Sequence, residues 1–431
     1  MNRISIIILS ALSFWLLTFG ISKSEAVEDN GSTSHLIAVI GNQGISFFRI
    51  QSYGSLQSIG GLPKNFGIEG ISSSDWLISG TGSLVTSPKR DQVAFSAHRG
   101  TENALFIYSV SQGDLQQTAI PYPVTPIWSP HGDALLLAAP PLAYVYEIVS
   151  HQLTEITHAP NEVGGNFQWL PDATALFYLG LDTTSPPKNI EIYVVNRDGS
   201  NRHRLTHTSS VVPANANRSI CNLTWSPANS RIYYVVGCLG FKDNPRDYVF
   251  SVNLAGENRL EVALPTAFKE DASVTAVTNM VATTDGPVIT YQADLVNGDH
   301  HWRVINLTPQ GELQLRFDYH FDAPRELYDA KISPDNKHVA IVGLTDEDIY
   351  GSIHLLVGNF DDNQIAADLD GTDDHICNID WDDQNVLYET TDIPCFGNKS
   401  KPIATWQLDI PTQKTVNISE SLGKISWVLH G

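Results

Sequence analysis

The sequence predicts an all-β protein, a β-propeller of eight four-stranded blades in which the C-terminal strand closes the first blade. Three observations predict this fold: a repeated pair of hairpins, a first copy that lacks its first strand, and a last copy that is a single strand. Self-similarity at a period of about 50 residues is typical of radial repeat folds. Seven blades is the alternative count. A tandem of β-sandwiches is the alternative fold, and it explains neither the repeat nor the divided blade.

The first hairpin of each repeat is a strand ending in Trp or a small residue, a tight turn and a second apolar strand. Pro, Asn, Asp and Gly at the turn favour type I geometry, and the flanking residues alternate between apolar and polar. The copies are Val85–Phe95, Ile127–Leu137, Gln168–Tyr178, Thr224–Tyr234, Ile332–Val342, Ile379–Glu389 and the weaker Val281–Tyr291.

The second hairpin of each repeat is an aromatic-rich strand, a turn and another strand. Its copies are Ile45–Ile59, Leu105–Thr118, Tyr144–Thr157, Ile190–Thr206, Tyr248–Leu264, His301–Phe317, Ser352–Leu369 and Ala404–Ile418. Two hairpins make a four-stranded antiparallel blade, and radial closure removes long exposed sheet edges.

The two ends of the chain supply the remaining first-type hairpin. The N-terminal copy begins directly at His35–Gly41, and the chain ends with one isolated strand around Trp427. We therefore expect Ile425–Trp427 to pair with His35–Ile40, and residues 35–431 to form a single propeller domain.

Residues 1–26 have the organisation of a secretory signal peptide. Arg3 supplies the positive charge, Ile4–Gly20 is apolar, and Ser24–Ala26 offers small residues at the cleavage positions. An uncleaved membrane anchor is the alternative. We expect residues 27–34 to be flexible and the mature protein to be periplasmic or secreted, monomeric, and not inserted in a membrane.

The charge of the mature chain argues against two kinds of partner. Removal of Arg3, Lys23 and Glu25 with the signal leaves 24 basic and 46 acidic residues, a net charge of −22. Such a field repels phosphate backbones and anionic lipids, so we expect no nucleic acid and no membrane surface as partner. A cationic partner remains compatible with it.

Four cysteines in an exported chain predict two disulfides. Cys221 begins the first strand of one hairpin and Cys238 ends its partner strand, so that the midpoint of the two falls in the predicted turn. Cys377 and Cys395 repeat this arrangement. We therefore predict the pairs Cys221–Cys238 and Cys377–Cys395, each closing a loop that contributes about 3 kcal/mol.

Several motifs resemble the propeller repeat of TolB-like proteins. Trp128–Gly132 reads Trp-Ser-Pro-His-Gly, Ser96–Gly100 precedes an Ile-Tyr strand, and Asp198–Thr206 begins with Asp-Gly and ends with Leu-Thr. The resemblance covers the mature chain and implies a propeller that acts as an exported binding scaffold. TolB also has an N-terminal α/β domain and six blades, and prolyl-oligopeptidase-type propellers carry a hydrolase domain. We find neither extra domain in this sequence.

Local catalytic motifs are missing from the sequence. There is no Gly-x-Ser-x-Gly elbow, His-Glu-x-x-His, phosphate loop or Cys-x-x-Cys. We therefore predict a scaffold that binds a protein, peptide or small ligand, without a cofactor. The alternative is a propeller enzyme, a hydrolase, lactonase or lyase, with its active site at the central channel.

Two groups of residues are candidates for ligand binding. Alternation along the first strands places polar residues at the central channel, namely Asn166, Asn222, Asn378, Asp380 and Lys424. A water-filled tunnel that binds nothing is the alternative. Long loops on one face carry Asp294, Asp299, Asp346, Glu347 and Asp348, which form a candidate partner-binding rim. Here the alternative is variation in solvated loops.

No metal site is predicted. Asp368, Asp370 and Asp373 resemble part of a calcium loop, but the ligand spacing and distal Glu of an EF-hand are missing. An acidic turn is the preferred interpretation. His300 and His301 are expected at the surface, since adjacent residues of a strand point to opposite faces.

Overall fold

All regular elements that the structure describes are strands, thirty-five in number. The structure is a computed structural model that describes residues 7–9, 35–41, 44–51, 55–69, 74–78, 84–139, 142–156, 162–182, 190–208, 220–236, 248–264, 267–321, 325–345, 353–369, 375–382, 385–391, 402–418 and 425–429. Among these residues no helix has the length and apolar character needed to cross a membrane.

The first two sheets contain the strands with extra pairings. The first has β1 (Ile7–Leu9), β2 (Leu36–Gly41), β3 (Gly44–Ile50) and β4 (Leu56–Gly61). The second has β5 (Phe66–Ile68), β6 (Trp76–Ile78), β7 (Val85–Thr86), β8 (Gln92–Arg99), β9 (Glu102–Ser109) and β10 (Leu115–Ala119).

The third to fifth sheets each have four strands in chain order. The third has β11 (Thr125–Trp128), β12 (Ala134–Ala139), β13 (Leu142–Glu147) and β14 (Leu153–Glu155). The fourth has β15 (Glu162–Trp169), β16 (Ala175–Asp182), β17 (Ile190–Asn196) and β18 (His203–Arg204). The fifth has β19 (Ile220–Ser226), β20 (Arg231–Val236), β21 (Tyr248–Val252) and β22 (Asn258–Ala263).

The sixth to eighth sheets follow the same order. The sixth has β23 (Asp271–Thr283), β24 (Gly286–Leu295), β25 (His300–Leu307) and β26 (Leu313–Phe321). The seventh has β27 (Arg325–Ile332), β28 (His338–Thr345), β29 (Ile353–Asn359) and β30 (Ile365–Leu369). The eighth has β31 (His375–Asp382), β32 (Asn385–Thr391), β33 (Pro402–Asp409) and β34 (Lys414–Asn417), and the last strand is β35 (Ile425–Leu429).

Eight sheets of consecutive strands give the fold class of an eight-bladed β-propeller, which confirms the prediction. The chain divides into two compact units. Val124–Ile379 holds the third to seventh sheets, and Asn2–Pro123 with Asp380–Gly431 holds the first, the second and most of the eighth. Within each unit, alternate residues of the strands are buried in apolar clusters between sheets.

The Ser-Pro turns owe their shape to the serine hydroxyl. Ser129 Oγ donates to Asp133 Oδ1 at 2.7 Å and accepts from the backbone N–H groups of Asp133 and Ala134, both at 3.1 Å. Ser87 holds its turn in the same way, and Ser333 does so with Asp335, two residues on, as the acceptor of its hydroxyl. The hydroxyl therefore satisfies turn amides that the ladder leaves unpaired.

The Leu-Thr end of the repeat also has a structural cause. Thr206 Oγ1 accepts from the Ile192 amide at 2.8 Å and donates to the Glu191 carboxylate at 2.7 Å. Glu191, only 2% exposed, also accepts from the amide and the hydroxyl of Thr208. The buried carboxylate thus anchors the segment that follows β18 in the fourth blade.

The C-terminal strand joins the first sheet as predicted, but not directly beside β2. β1 lies between them, antiparallel to β35 (Ile8 opposite Ser426) and parallel to β2 (Ile7 opposite Ala38). An apolar, β-branched segment such as Ile7–Leu9 can satisfy the open backbone groups of both neighbours. β1 falls within residues 1–26, and the signal peptide predicted there stays a prediction. Residues 27–34 lie outside the described ranges.

In the second blade, the first strand of the predicted hairpin is short and is supplemented. β8 pairs with β7 at one end (Val85 opposite Ala94) and with β6 at the other (Ile78 opposite Ala97). β5 then pairs in parallel with β6. β6 and β7 together therefore fill the position beside β8 that one strand fills in the later blades, and β5 adds a further strand beyond β6.

Gly343 of β28 is expected to tolerate no side chain. A Cβ there would lie 2.0 Å from Cη2 of Trp302, whose side chain is fully buried in the neighbouring sixth blade. We expect Gly343→Ala to lower the free energy of unfolding by about 1–3 kcal/mol, because the rigid indole cannot move aside. Urea denaturation measures the difference. Gly165→Ala is the matched control, since nothing lies within 4 Å of its Cβ position; equal losses would contradict the steric explanation.

Candidate functional site

The first strands of the fourth to seventh blades are irregular where the predicted channel residues lie. Register shifts interrupt β15, β19, β23 and β27. Asn166 lies in the shift of β15, is exposed, and has a φ of 51°, a left-handed conformation that asparagine tolerates better than most residues. A bulge re-aims the side chain next to it.

Side-chain amides at these bulges join one blade to the next. In three places the amide donates to a backbone carbonyl in the first strand of the following blade. The bonds run from Gln168 to Leu223, from Asn222 to Val277 and from Asn279 to Ala330, at 2.9, 3.2 and 2.5 Å. The predicted binding residue Asn222 therefore has a structural partner.

Sequence reasoning missed Asn279, and with it Asp329, which stands at the equivalent position of the seventh blade. Asn279 and Asp329 occupy the position of Asn222 when the repeats are aligned on the residue three places later, which is Trp225 in the fifth blade. The sixth and seventh copies have Ala282 and an isoleucine there. Because these two copies lack the tryptophan on which the other repeats can be aligned, the equivalence of Asn279 and Asp329 to Asn222 is not evident from the sequence.

Asp380, another predicted channel residue, belongs to a buried charge cluster. His35 contacts it through Nε2 at 3.5 Å and contacts Asp382 through Nδ1 at 3.3 Å. Burial lowers the pKa of His35, but hydrogen bonds with both carboxylates outweigh this and raise it above 6.5. Gln407 also donates to Asp382, at 3.4 Å. The imidazole thus lies between two acids, and both of them favour its protonated form.

Other sequence candidates lie outside the described residues or side chains. They are Asn378, Lys424, Asp346, Glu347, Asp348, Asp370, Asp373 and the four cysteines Cys221, Cys238, Cys377 and Cys395. Their predicted roles therefore stay predictions. Asp368 is described, and its carboxylate bonds the imidazole of His354, which is 2% exposed. It lies on β30 rather than in a loop.

The two remaining rim residues, Asp294 and Asp299, lie at one end of the sixth sheet. We name this region the acidic end; it comprises Asp294, Asp299, His300, His301, Asp318 and His320. Asp294 accepts from His300 Nδ1 at 2.7 Å, and Asp299 Oδ1 lies 3.7 Å from His320 Nε2. The carboxylates of Asp294 and Asp299 are 29% and 44% exposed, so both reach solvent.

His301 and His320 face each other across β25 and β26. They are directly opposite in the register, and their ring centroids are 5.2 Å apart. His301 Nδ1 donates to Asp318 Oδ1 at 2.6 Å. Atoms of Asp299, His301 and His320 that could bind a metal ion all lie within 4.8 Å of one another.

A buried arginine, Arg303, bonds the acidic end on the side that faces the core. Arg303, 1% exposed, donates through Nε to Asp318 at 3.3 Å and through Nη1 to Asp271. Burial lowers the pKa of Arg303, but the charges of Asp318 and Asp271 raise it overall. Burial raises the pKa of Asp271 more than Arg303 lowers it. The guanidinium therefore stays charged and holds Asp318 in place.

Sequence reasoning placed His301 at the surface and missed its partner. Next to the turn the hairpin is centred on Gln310, where Leu307 pairs with Leu313. A register shift between Val304 and Ile305 then displaces the pairing by one residue, so that His301 lies opposite His320. The midpoint argument that predicted the cysteine pairs therefore misses this histidine pair by one residue. Asp271 lies on β23, outside this hairpin, so the position of the turn says nothing about its contact with Arg303.

Comparison with known proteins supports the fold and nothing finer. No family model and no curated protein matches the chain. A solved eukaryotic initiation factor is 11% identical with a TM-score of 0.54, over 92% of this chain and 98% of that one. An oligogalacturonate lyase from Vibrio parahaemolyticus is 12% identical with a TM-score of 0.53, over 77% and 89%. TolB from Acinetobacter baumannii has a TM-score of 0.36 at 11% identity, over 77% and 78%.

Proposed function

We propose that the chain is an exported, TolB-like propeller that binds a cationic protein or peptide segment at the acidic end of its sixth blade. The observation that carries the proposal is that three partly exposed carboxylates lie close together there. Asp294, Asp299 and Asp318 lie at one end of a rigid sheet, with side chains 29%, 44% and 21% exposed. Partly desolvated acids attract lysine and arginine more strongly than fully exposed ones do.

The charge of the chain supports the same partner. The net charge is −21, so association with a basic segment is favoured at long range as well as on contact. Arg303, the arginine of this region, is paired with carboxylates within the blade and its side chain is only 2% exposed. A basic partner therefore meets predominantly carboxylate oxygens.

The enzyme alternative has less support among the described residues. The polar side chains of the first strands, such as Gln168, Asn222 and Asn279, donate to neighbouring blades. Asp380 is paired with His35. These groups connect strands of the fold, whereas catalysis needs a nucleophile or a base directed at a substrate.

Charge reversal tests the proposed surface. A fluorescein-labelled peptide rich in lysine and arginine is the probe, and fluorescence anisotropy at low ionic strength gives its affinity. We expect the double variant Asp294→Lys/Asp299→Lys to bind about tenfold more weakly, because four units of charge change at the contact surface. Thermal unfolding confirms that the variant is folded.

The matched control makes the same charge change elsewhere. Asp361 and Asp362 are exposed in the turn between β29 and β30. Asp361→Lys/Asp362→Lys should weaken binding far less if the acidic end is the site. Equal weakening by both double variants would show that the net charge, and not this surface, attracts the peptide. No binding by the unaltered protein would refute a cationic partner.

A further inference from the structure

Three side chains at the acidic end have the donor set of a transition-metal centre. Asp299 offers a carboxylate oxygen, and His301 and His320 offer ring nitrogens, all within 4.8 Å of one another. His320 Nε2 and Asp299 Oδ1 are 3.7 Å apart. Ligand atoms of a tetrahedral zinc ion lie about 3.3 Å apart, given bonds of about 2.0 Å. Small side-chain movements would therefore bring the three atoms around one ion.

His301 is already oriented for this role. Its Nδ1 donates to Asp318 at 2.6 Å, which leaves Nε2 as the nitrogen with an available lone pair. Metal-binding histidines almost always donate their other ring nitrogen to a carboxylate or carbonyl in this manner. Arg303 in turn holds Asp318, at 3.3 Å. The arrangement is therefore supported by a charged network that extends into the core.

The other two ligands have room to adjust. The His320 and Asp299 side chains are 46% and 44% exposed, and Asp299 lies in the turn between β24 and β25. His301, at 15% exposed, is the fixed member. A largely buried anchor with two partly exposed partners can close on an ion without distorting the sheet, because only rotatable side chains must move.

We infer that Asp299, His301 and His320 bind a single divalent zinc ion. Two imidazoles and one carboxylate match zinc's preference for nitrogen and oxygen ligands better than calcium or magnesium, which favour oxygen alone. Three protein ligands leave one tetrahedral position for water or for a donor atom of a bound molecule. The inference does not depend on the proposed cationic partner, since the ion itself is the ligand.

The neighbouring His300 is the natural control residue. It is adjacent to His301 but points to the other face of β25, where Nδ1 donates to Asp294 and the ring stacks on Phe321 with centroids 5.8 Å apart. Removing His300 deletes one histidine from the acidic end and leaves the three proposed ligands intact. If zinc binding depended only on the number of histidines in this region, removing His300 would weaken it as much as removing His301.

Zinc titration of the tag-free protein under non-reducing conditions tests the inference. Isothermal titration calorimetry with Zn²⁺ gives stoichiometry and affinity, and Co²⁺ substitution gives a visible spectrum of the bound ion. We expect one ion per chain for the unaltered protein and for His300→Gln. His301→Gln and His320→Gln should each weaken binding at least about tenfold.

Asp318→Asn separates the positioning role from the ligand role. We expect this variant to bind Zn²⁺ about tenfold more weakly while retaining a Co²⁺ spectrum of the same form, because the ligands are unchanged. Thermal unfolding without metal identifies any variant that fails to fold; His320 is exposed, so His320→Gln remains informative. No zinc binding by the unaltered protein, or unchanged binding by both histidine variants, would overturn the inference.

Discussion

Replacement of Arg303 by alanine is expected to lower the free energy of unfolding by about 3–5 kcal/mol. The guanidinium is buried and bonds three carboxylates, those of Asp271, Asp318 and Glu270. It also lies 4.6 Å from the ring centroid of Phe268. Removing it leaves the buried Asp271 without its counter-ion and takes one of its donors from Asp318, which keeps the bond to His301. The desolvation cost of the uncompensated charge produces the loss of stability.

Urea denaturation measures this effect, and a surface arginine serves as its control. Arg99 is 53% exposed and pairs with Glu102 at 2.8 Å. Arg99→Ala should cost no more than about 1 kcal/mol, because solvent screens an exposed pair. Arg303→Lys should fall between the two, since lysine keeps the charge but cannot reach three carboxylates as a planar fork does. Comparable losses for Arg303→Ala and Arg99→Ala would show that burial adds nothing to this network.

The fold was predictable from the sequence because every blade repeats the same local chemistry. The Ser-Pro turns carry their own capping hydroxyl, as Ser129 shows, and the strands between them alternate. Two departures were not predictable. β1 occupies the edge between β2 and β35, and β6 supplements β7 beside β8. Both are pairings of short strands with open edges, which no local pattern specifies.

The candidate site was predictable only in part, because side-chain partners depend on register. Asp294 and Asp299 were identified as rim acids from their loop, and they do lie at a common end of the sixth sheet. His301 and His320 lie opposite each other only because the register shifts by one residue between Val304 and Ile305, and no local pattern in the sequence specifies that shift. The link from Arg303 to Asp271 joins strands far apart in the sequence, and it follows only from the folded blade.

The stability of the chain is expected to depend on pH through His35. Its pKa is above 6.5 because the hydrogen bonds to Asp380 and Asp382 outweigh burial, while Arg90 acts weakly in the opposite direction. A group whose pKa is raised by folding binds its proton more tightly in the folded state. The contribution of His35 is therefore complete below pH 6.5 and is lost as the pH rises through the folded-state pKa.

His35→Gln isolates this contribution, since the other thirteen of the fourteen histidines are common to both proteins. We expect the variant to be less stable by about 3 kcal/mol near pH 5.5, because Asp382 and Asp380 lose a buried counter-ion. As the pH rises from 5.5 to 9, the imidazole of the unaltered protein loses its proton through the folded-state pKa, so the difference between the two proteins should shrink. Urea denaturation at both pH values measures it.

Asp380→Asn completes a double-mutant cycle with His35→Gln. If the imidazolium is the stabilising partner, the coupling between the two positions should be measurable near pH 5.5 and small near pH 9. A difference between His35→Gln and the unaltered protein that stays constant with pH would mean that His35 acts through packing alone. In that case Asp380 would not be needed as the counter-ion of His35, and the prediction that it binds a ligand at the channel would be the better explanation of its presence.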